Sequence, residues 1–114
     1  MQEIYAAGQV DPYALEKTSR RSALHKAAFW GHILTINFLI KDVRMDVNQQ
    51  DFNGDTAMHD AARFGHVNVV EALLNAGGNP AIKNKKGESV IELALKQDKF
   101  DVAQCILKSQ VSKM

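Results

Sequence analysis

The sequence predicts an all-α helical solenoid: helix-turn-helix units stacked side by side, with projecting turns between them. Three observations carry this. Ser22-Ala23-Leu24-His25-Lys26-Ala27-Ala28 returns 34 residues later as Thr56-Ala57-Met58-His59-Asp60-Ala61-Ala62, and 33 later again as Ser89-Val90-Ile91-Glu92-Leu93-Ala94-Leu95. Gly31-His32 recurs as Gly65-His66 in step with it. The apolar pairs Leu39-Ile40, Leu73-Leu74 and Ile106-Leu107 keep the same register. The period is 33, with one extra residue near Val43 to Met45 in the first copy. Units of this length cannot bury an apolar face alone and must stack, and three are about the minimum for stability.

Size and charge agree with one such stack. The chain has 114 residues, 46% hydrophobic and 24% charged, which is material for a single soluble domain. Its formal net charge of +1 supplies no global field to hold a polyanion, so nucleic acid is not the expected partner. The balance varies locally: residues 42–71 carry six Asp or Glu against two Arg, a net of −4, and 83–114 carry seven Lys against four acids, a net of +3. A solvated surface of mixed charge is the plain reading. Cys105, alone in the chain, cannot form an internal disulfide, and no apolar run reaches the roughly 18 residues of a membrane span. Gln2, Glu3, Gly8, Gln9 and Asp11 interrupt any secretory-type opening, so the expected setting is intracellular, cytoplasmic or nuclear.

Element by element, residues 1–16 read as a degenerate capping segment. Within it, Asp11-Pro12 starts a short helix as N-cap and first helical residue. The units follow at 17–50, 51–83 and 84–108, with 109–114 as a frayed tail. In each unit a hydroxyl residue, Ser22, Thr56 or Ser89, is the N-cap of the first helix, accepting from the N–H three residues on. Ser89 and Glu92 form a capping-box pair, and His25 and His59 hold the same position in the first two units. There an imidazole can bond back to its cap and also reach a neighbouring turn. Gly31 and Gly65 close the first helices at a left-handed position, and second helices begin near Ile33, Val67 and Phe100. Asn53-Gly54 and Lys86-Gly87 mark the turns between units.

These residues resemble the ankyrin repeat: its Thr-Pro-Leu-His-x-Ala-Ala motif, its Gly-His bend, its paired leucines, and the Asp-Val-Asn segment, here Asp46-Val47-Asn48. The second copy matches best, from Asp51 through Gly77, and the resemblance covers about residues 17 to 108. It departs in several places. No copy has proline after the cap, since Ala23, Ala57 and Val90 stand there. Arg20 replaces a turn glycine. The third copy has Glu92 for His, Asp98-Lys99 for Gly-His and Leu95 for the second alanine, as suits a terminal unit with no follower to bond.

Catalysis finds no support in these motifs. The four histidines His25, His32, His59 and His66 repeat with the architecture rather than clustering as metal ligands, and no phosphate loop or Ser/His/Asp arrangement is present. The expected protein is no enzyme and binds no cofactor and no metal. Cys105 reads as a small buried thiol beside Val102 and Ile106, and Met58 as core in place of the motif's leucine.

What the resemblance implies instead is protein–protein recognition, by an adaptor, scaffold or inhibitor, through the concave face and the turn tips. Positions the motif leaves free supply the candidate partner-binding residues. On the turns these are Thr18, Ser19 and Arg21, then Phe52, Asn53 and Asp55, then Lys85, Lys86 and Glu88. On the first helices they are Phe29 and Trp30, Arg63 and Phe64, then Lys96 and Gln97. Aromatic residues and Arg dominate interface energetics, so Phe29, Trp30, Phe52, Arg63 and Phe64 form the expected hot spot. A partner with apolar anchors and an acidic segment would match. The alternative is electrostatic capture of a phosphorylated segment, lipid headgroup or nucleic acid by Lys83, Lys85, Lys86, Lys96 and Lys99. The chain alone is expected to be monomeric.

Overall fold

A computed structural model of the chain describes residues 22–112, with side chains to Gln110. Its regular elements are three helix pairs: α1 (Ala23–Trp30) with α2 (Ile33–Phe38), α3 (Ala57–Arg63) with α4 (Val67–Asn75), and α5 (Val90–Lys96) with α6 (Phe100–Ser112). The first helices pack in the series α1, α3, α5 and the second in the series α2, α4, α6, giving a two-layered stack. The expected opening segment 1–16, with Thr18, Ser19, Arg20 and Arg21, lies outside the described residues.

Each inner helix starts as its cap dictates. The side chains of Ser22, Thr56 and Ser89 accept from the N–H groups of His25, His59 and Glu92, and each third-position side chain bonds back to the cap N–H. These reciprocal bonds satisfy orphan donors of a first turn, which lets helices of seven or eight residues begin without proline. At the bend, Gly31 closes α1 in the left-handed region at φ 72°. A Cβ there would stand 2.7 Å from Nδ1 of His66, so both the backbone and the approach of the next unit require its absence.

The histidines join the units. Nδ1 of His25 accepts the Ser22 N–H at 3.2 Å, which leaves the proton on Nε2, 2.8 Å from the Asp55 carbonyl of the next unit. His59 repeats the arrangement, with Thr56 N–H at 3.0 Å and the Glu88 carbonyl at 3.0 Å. Glu92, the third member of this series, is exposed and bonds its own cap Ser89 at 2.9 Å.

Between the layers lies a continuous apolar core running from Leu24 and Ile36 through Met58, Val69, Val70 and Leu73 to Val90, Val102 and Ile106. Met58 belongs to it at 1% exposure, as the motif position requires. The extra residue of the first copy is absorbed where α2 widens into a π-helical turn, Leu39–Val43, ending at Arg44 with φ 61°. A π turn adds one residue without breaking the helix, so Leu39 and Ile40 keep their register. Two expectations are corrected. Helix α6 extends to Ser112, so the segment from Ser109 is helical that far and not a frayed tail. Cys105 is half-buried at the edge of the core, because its side of α6 is only partly covered.

Candidate protein-binding face

The projecting turns are built by one device used twice. Asp51 Oδ1 accepts the N–H groups of Asn53 and Asp55, both at 2.9 Å, while the Asp51 N–H donates to the Asp55 carbonyl. Thirty-three residues on, Asn84 Oδ1 accepts from Lys86 and Glu88 at 3.0 Å each. The two fingers are tied together, since Lys85 N–H donates to the Asn53 carbonyl and Asn84 Nδ2 donates to Asp55 Oδ1, each at 2.9 Å. Phe52 and Lys85 hold equivalent places on adjacent fingers, and the Lys85 ammonium sits 4.1 Å from the Phe52 ring centroid. Phe52, Asn53, Lys85 and Lys86 are all exposed, as expected of turn tips.

Asp55 is a correction. Its position was expected to face a partner, yet it is 5% exposed. It takes an Arg63 guanidinium at 3.2 Å in addition to the Asn84 amide. Arg63 also holds Asp60, a fully buried carboxylate, at 3.0 Å. A carboxylate out of water is stable only when paired and hydrogen-bonded, and this network supplies both. Arg63, whose side chain keeps 30% exposure, is thus partly committed to the fold. Lys96, its counterpart in the third unit, pairs at 3.0 Å with Glu88 at the base of its own finger. Glu88 also accepts from Asn84, and this bond, followed by the Lys96 pairing, holds its carboxyl below the usual carboxylate range.

Those two ion pairs fix the orientation of the face. Arg63 and Lys96 each reach back eight residues to a finger base, so the row Phe29, Arg63, Lys96 lies on the side towards the fingers. Phe29 extends that row into an aromatic cluster. Its ring stands edge-on to Phe64 at 4.6 Å and to Trp30 at 5.1 Å between centroids. Edge-to-face geometry at this spacing is favourable and keeps the rings in place. Trp30 is 66% exposed and Phe64 44%, so the cluster is not sealed into the core, while Phe29 is half-buried beneath it.

His66 is the participant that sequence reasoning missed. Its Nε2–H donates to the Phe29 carbonyl at 3.2 Å, pinning the cluster's first strut across the unit boundary. The repeated Gly-His pair was the available clue. Of the expected binding residues, Phe29, Trp30 and Phe64 come together, Phe52 with Lys85 forms a second feature at the fingers, and Arg21 is outside the described residues. No group of three or more metal-ligating side chains occurs among the described residues, and no described helix is long and apolar enough to cross a membrane.

A family model for ankyrin repeats in three copies matches residues 3–84 and 24–114. Among curated proteins, the chain is 38% identical over 100 residues to the start control protein cdc10 of Schizosaccharomyces pombe, covering 82% of the chain and 12% of that protein. It is 51% identical over 41 residues to the regulatory protein SWI6 of Saccharomyces cerevisiae, covering 36% of the chain and 5% of that protein. To the palmitoyltransferase AKR1 of Debaryomyces hansenii it is 36% identical over 88 residues, 77% of the chain and 11% of the other. The chain therefore spans about an eighth or less of the length of these relatives, and what they share with it is the repeats. With its capped inner helices, glycine bends, histidine bridges and paired apolar residues in the expected register, the chain belongs to the ankyrin-repeat family.

Proposed function

We propose that the chain is a protein–protein interaction module, an adaptor, scaffold or inhibitor, that seats a partner on the finger-side face of its inner helices and on the turn tips. The observation that carries this reading is the pair of exposed rings, Trp30 and Phe64, standing over a half-buried Phe29 at positions the repeat motif does not specify. Large apolar area held rigid at the surface costs solvation and is recovered when a partner covers it. Regulatory names among the relatives accord with such a role. The palmitoyltransferase name belongs to a protein of which the matched repeats are a small part, so the module is read as non-enzymatic and without cofactor. An intracellular, cytoplasmic or nuclear setting goes with this role.

The electrostatic alternative is weakened by what its lysines do. Lys96 is paired with Glu88, Lys85 lies over Phe52, and the stem of Lys99 packs under the Gly65 bend, so three of the five lysines already have contacts within the fold. A capture experiment decides between them. Proteins retained by the wild-type chain are compared with those retained by a Trp30→Ala/Phe52→Ala/Phe64→Ala variant of equal helicity and melting. Capture that survives 200 mM salt and is lost in the variant supports the aromatic face. Capture that disappears with salt and ignores the variant overturns it in favour of the lysines.

A further inference from the structure

The face carries two separate features, and their separation specifies a ligand. At the bend end are the exposed rings of Trp30 and Phe64, held edge-on to Phe29. At the finger end are Phe52 and Lys85, with Lys86 beside them. The ground between is occupied by the Asp55, Asp60, Arg63 and Asn84 network, in which one guanidinium serves two carboxylates. One end therefore suits a large apolar side chain. The other suits a carboxylate, drawn by two exposed lysines on a single finger, one of them already held over an aromatic ring.

Resting on the proposed function above, we propose that the partner presents an extended segment in which a large apolar residue docks on Trp30 and Phe64, and an acidic residue further along meets Lys85 and Lys86. The spacing follows from the fold. Thr56, at the finger base, and Phe64 are the two ends of one inner helix, eight residues apart, or about 12 Å at 1.5 Å per residue. The finger adds several ångströms. An extended chain rises about 3.3 Å per residue, so anchor and acid are separated by roughly four to seven residues. The intervening network, two carboxylates sharing one guanidinium, disfavours a further acidic residue in the middle of the segment, where it would lose water without gaining a free counter-charge.

The whole chain, panned against a random twelve-residue peptide library, tests this. Trp30, the one tryptophan, provides a direct readout through its emission. The expected peptides pair Leu, Met or an aromatic with Asp or Glu at that spacing and shift Trp30 emission on binding. As synthetic peptides they lose about thirtyfold in affinity on Phe64→Ala, and about tenfold on Lys85→Glu/Lys86→Glu. Circular dichroism and melting confirm that both variants fold. Peptides that need Phe64 and move Trp30 emission, yet show no acidic preference and ignore the lysine reversal, overturn the bipartite segment and leave the aromatic face standing as a binding site. Peptides indifferent to Phe64, or no enrichment at all, overturn both.

Discussion

Replacing His59 with alanine measures how much of this stack depends on bonds between units. The ring is fully buried, accepting from Thr56 N–H at 3.0 Å and donating to the Glu88 carbonyl at 3.0 Å. Alanine removes both partners at once, leaving the buried Thr56 N–H at the start of α3 without its acceptor and the Glu88 carbonyl without its donor. Each lost bond costs about 1 kcal/mol, and the stranded N–H and the vacated ring volume add more, so the expected loss is about 3 kcal/mol. In a domain of this size that corresponds to a melting shift of roughly 10–20 °C. Urea denaturation followed by circular dichroism reads it directly. Two companions sharpen the result. Glu92→Ala, at the same repeat position but exposed, should move the midpoint far less, because water can replace what its carboxylate accepts from Ser89. His59→Glu keeps the local capping geometry yet aims a buried carboxylate at the Glu88 carbonyl, and should destabilise more than alanine does. Equal losses for His59→Ala and Glu92→Ala, or a His59→Glu protein as stable as wild type, would refute the claim that the imidazole acts across the boundary.

Three further outcomes follow from the same geometry. Gly31→Ala should cost more than Gly87→Ala in thermal melts. Both sit at positive φ, 72° and 79°, and lose about 1 kcal/mol for it, but only at Gly31 does the added Cβ meet a ring, 2.7 Å from His66 Nδ1. The Glu88 and Glu92 carboxyls are held below their ordinary value of 4.5, Glu88 chiefly by the Asn84 amide and then Lys96, Glu92 by the Ser89 N–H and hydroxyl. Because their folded values are depressed, the stability they contribute is present above the ordinary carboxylate range and lost as pH falls through the lowered values, so a Glu88→Gln/Glu92→Gln protein should show a flatter acid limb in urea midpoints. Burial, with the Glu71 charge behind it, pushes the Cys105 thiol up, so its labelling by a disulfide reagent at pH 8 should be slower than that of a free peptide thiol and should recover in urea.

How much of this was legible in the sequence depends on whether a residue acts within the repeat or across it. Ser22, Thr56 and Ser89 were readable as caps because their partners lie three residues away, and the spacing alone brings them together. The reach of His25 and His59 to a neighbouring turn was also readable, since the same residue type recurred wherever a further unit followed. The added residue near Val43 was visible as a break in period, but its resolution as a π turn depends on Leu39 staying in the core while Arg44 takes a left-handed conformation. Asn84 gave less away. It matches Asp51 as a turn organiser, yet its amide has a second partner, Asp55, in the preceding finger, and an aspartate in its place would set two carboxylates against each other.

Asp55 and Arg63 show where reading by free positions goes wrong. A position that the repeat motif leaves variable is free of the motif, but it is not thereby free of the fold. Asp60 occupies the unspecified place in the second copy's motif, between His59 and Ala61, on the buried side of α3. Once a carboxylate stands there, an adjacent cation has to meet it, and Arg63, one turn on, does so. The guanidinium then has a second nitrogen in reach of Asp55 at the finger base, which in turn accepts from Asn84. One buried acid thus converts two nominally exposed positions into scaffold. The first unit has Phe29 in the row of Arg63, where no such pairing is possible for its side chain, and the ring turns instead towards Trp30 and Phe64. The proposed binding surface is therefore divided by the needs of the interior: the buried charge of the second unit takes the middle of the face for itself, and the proposed recognition falls to the aromatic end and the finger tips.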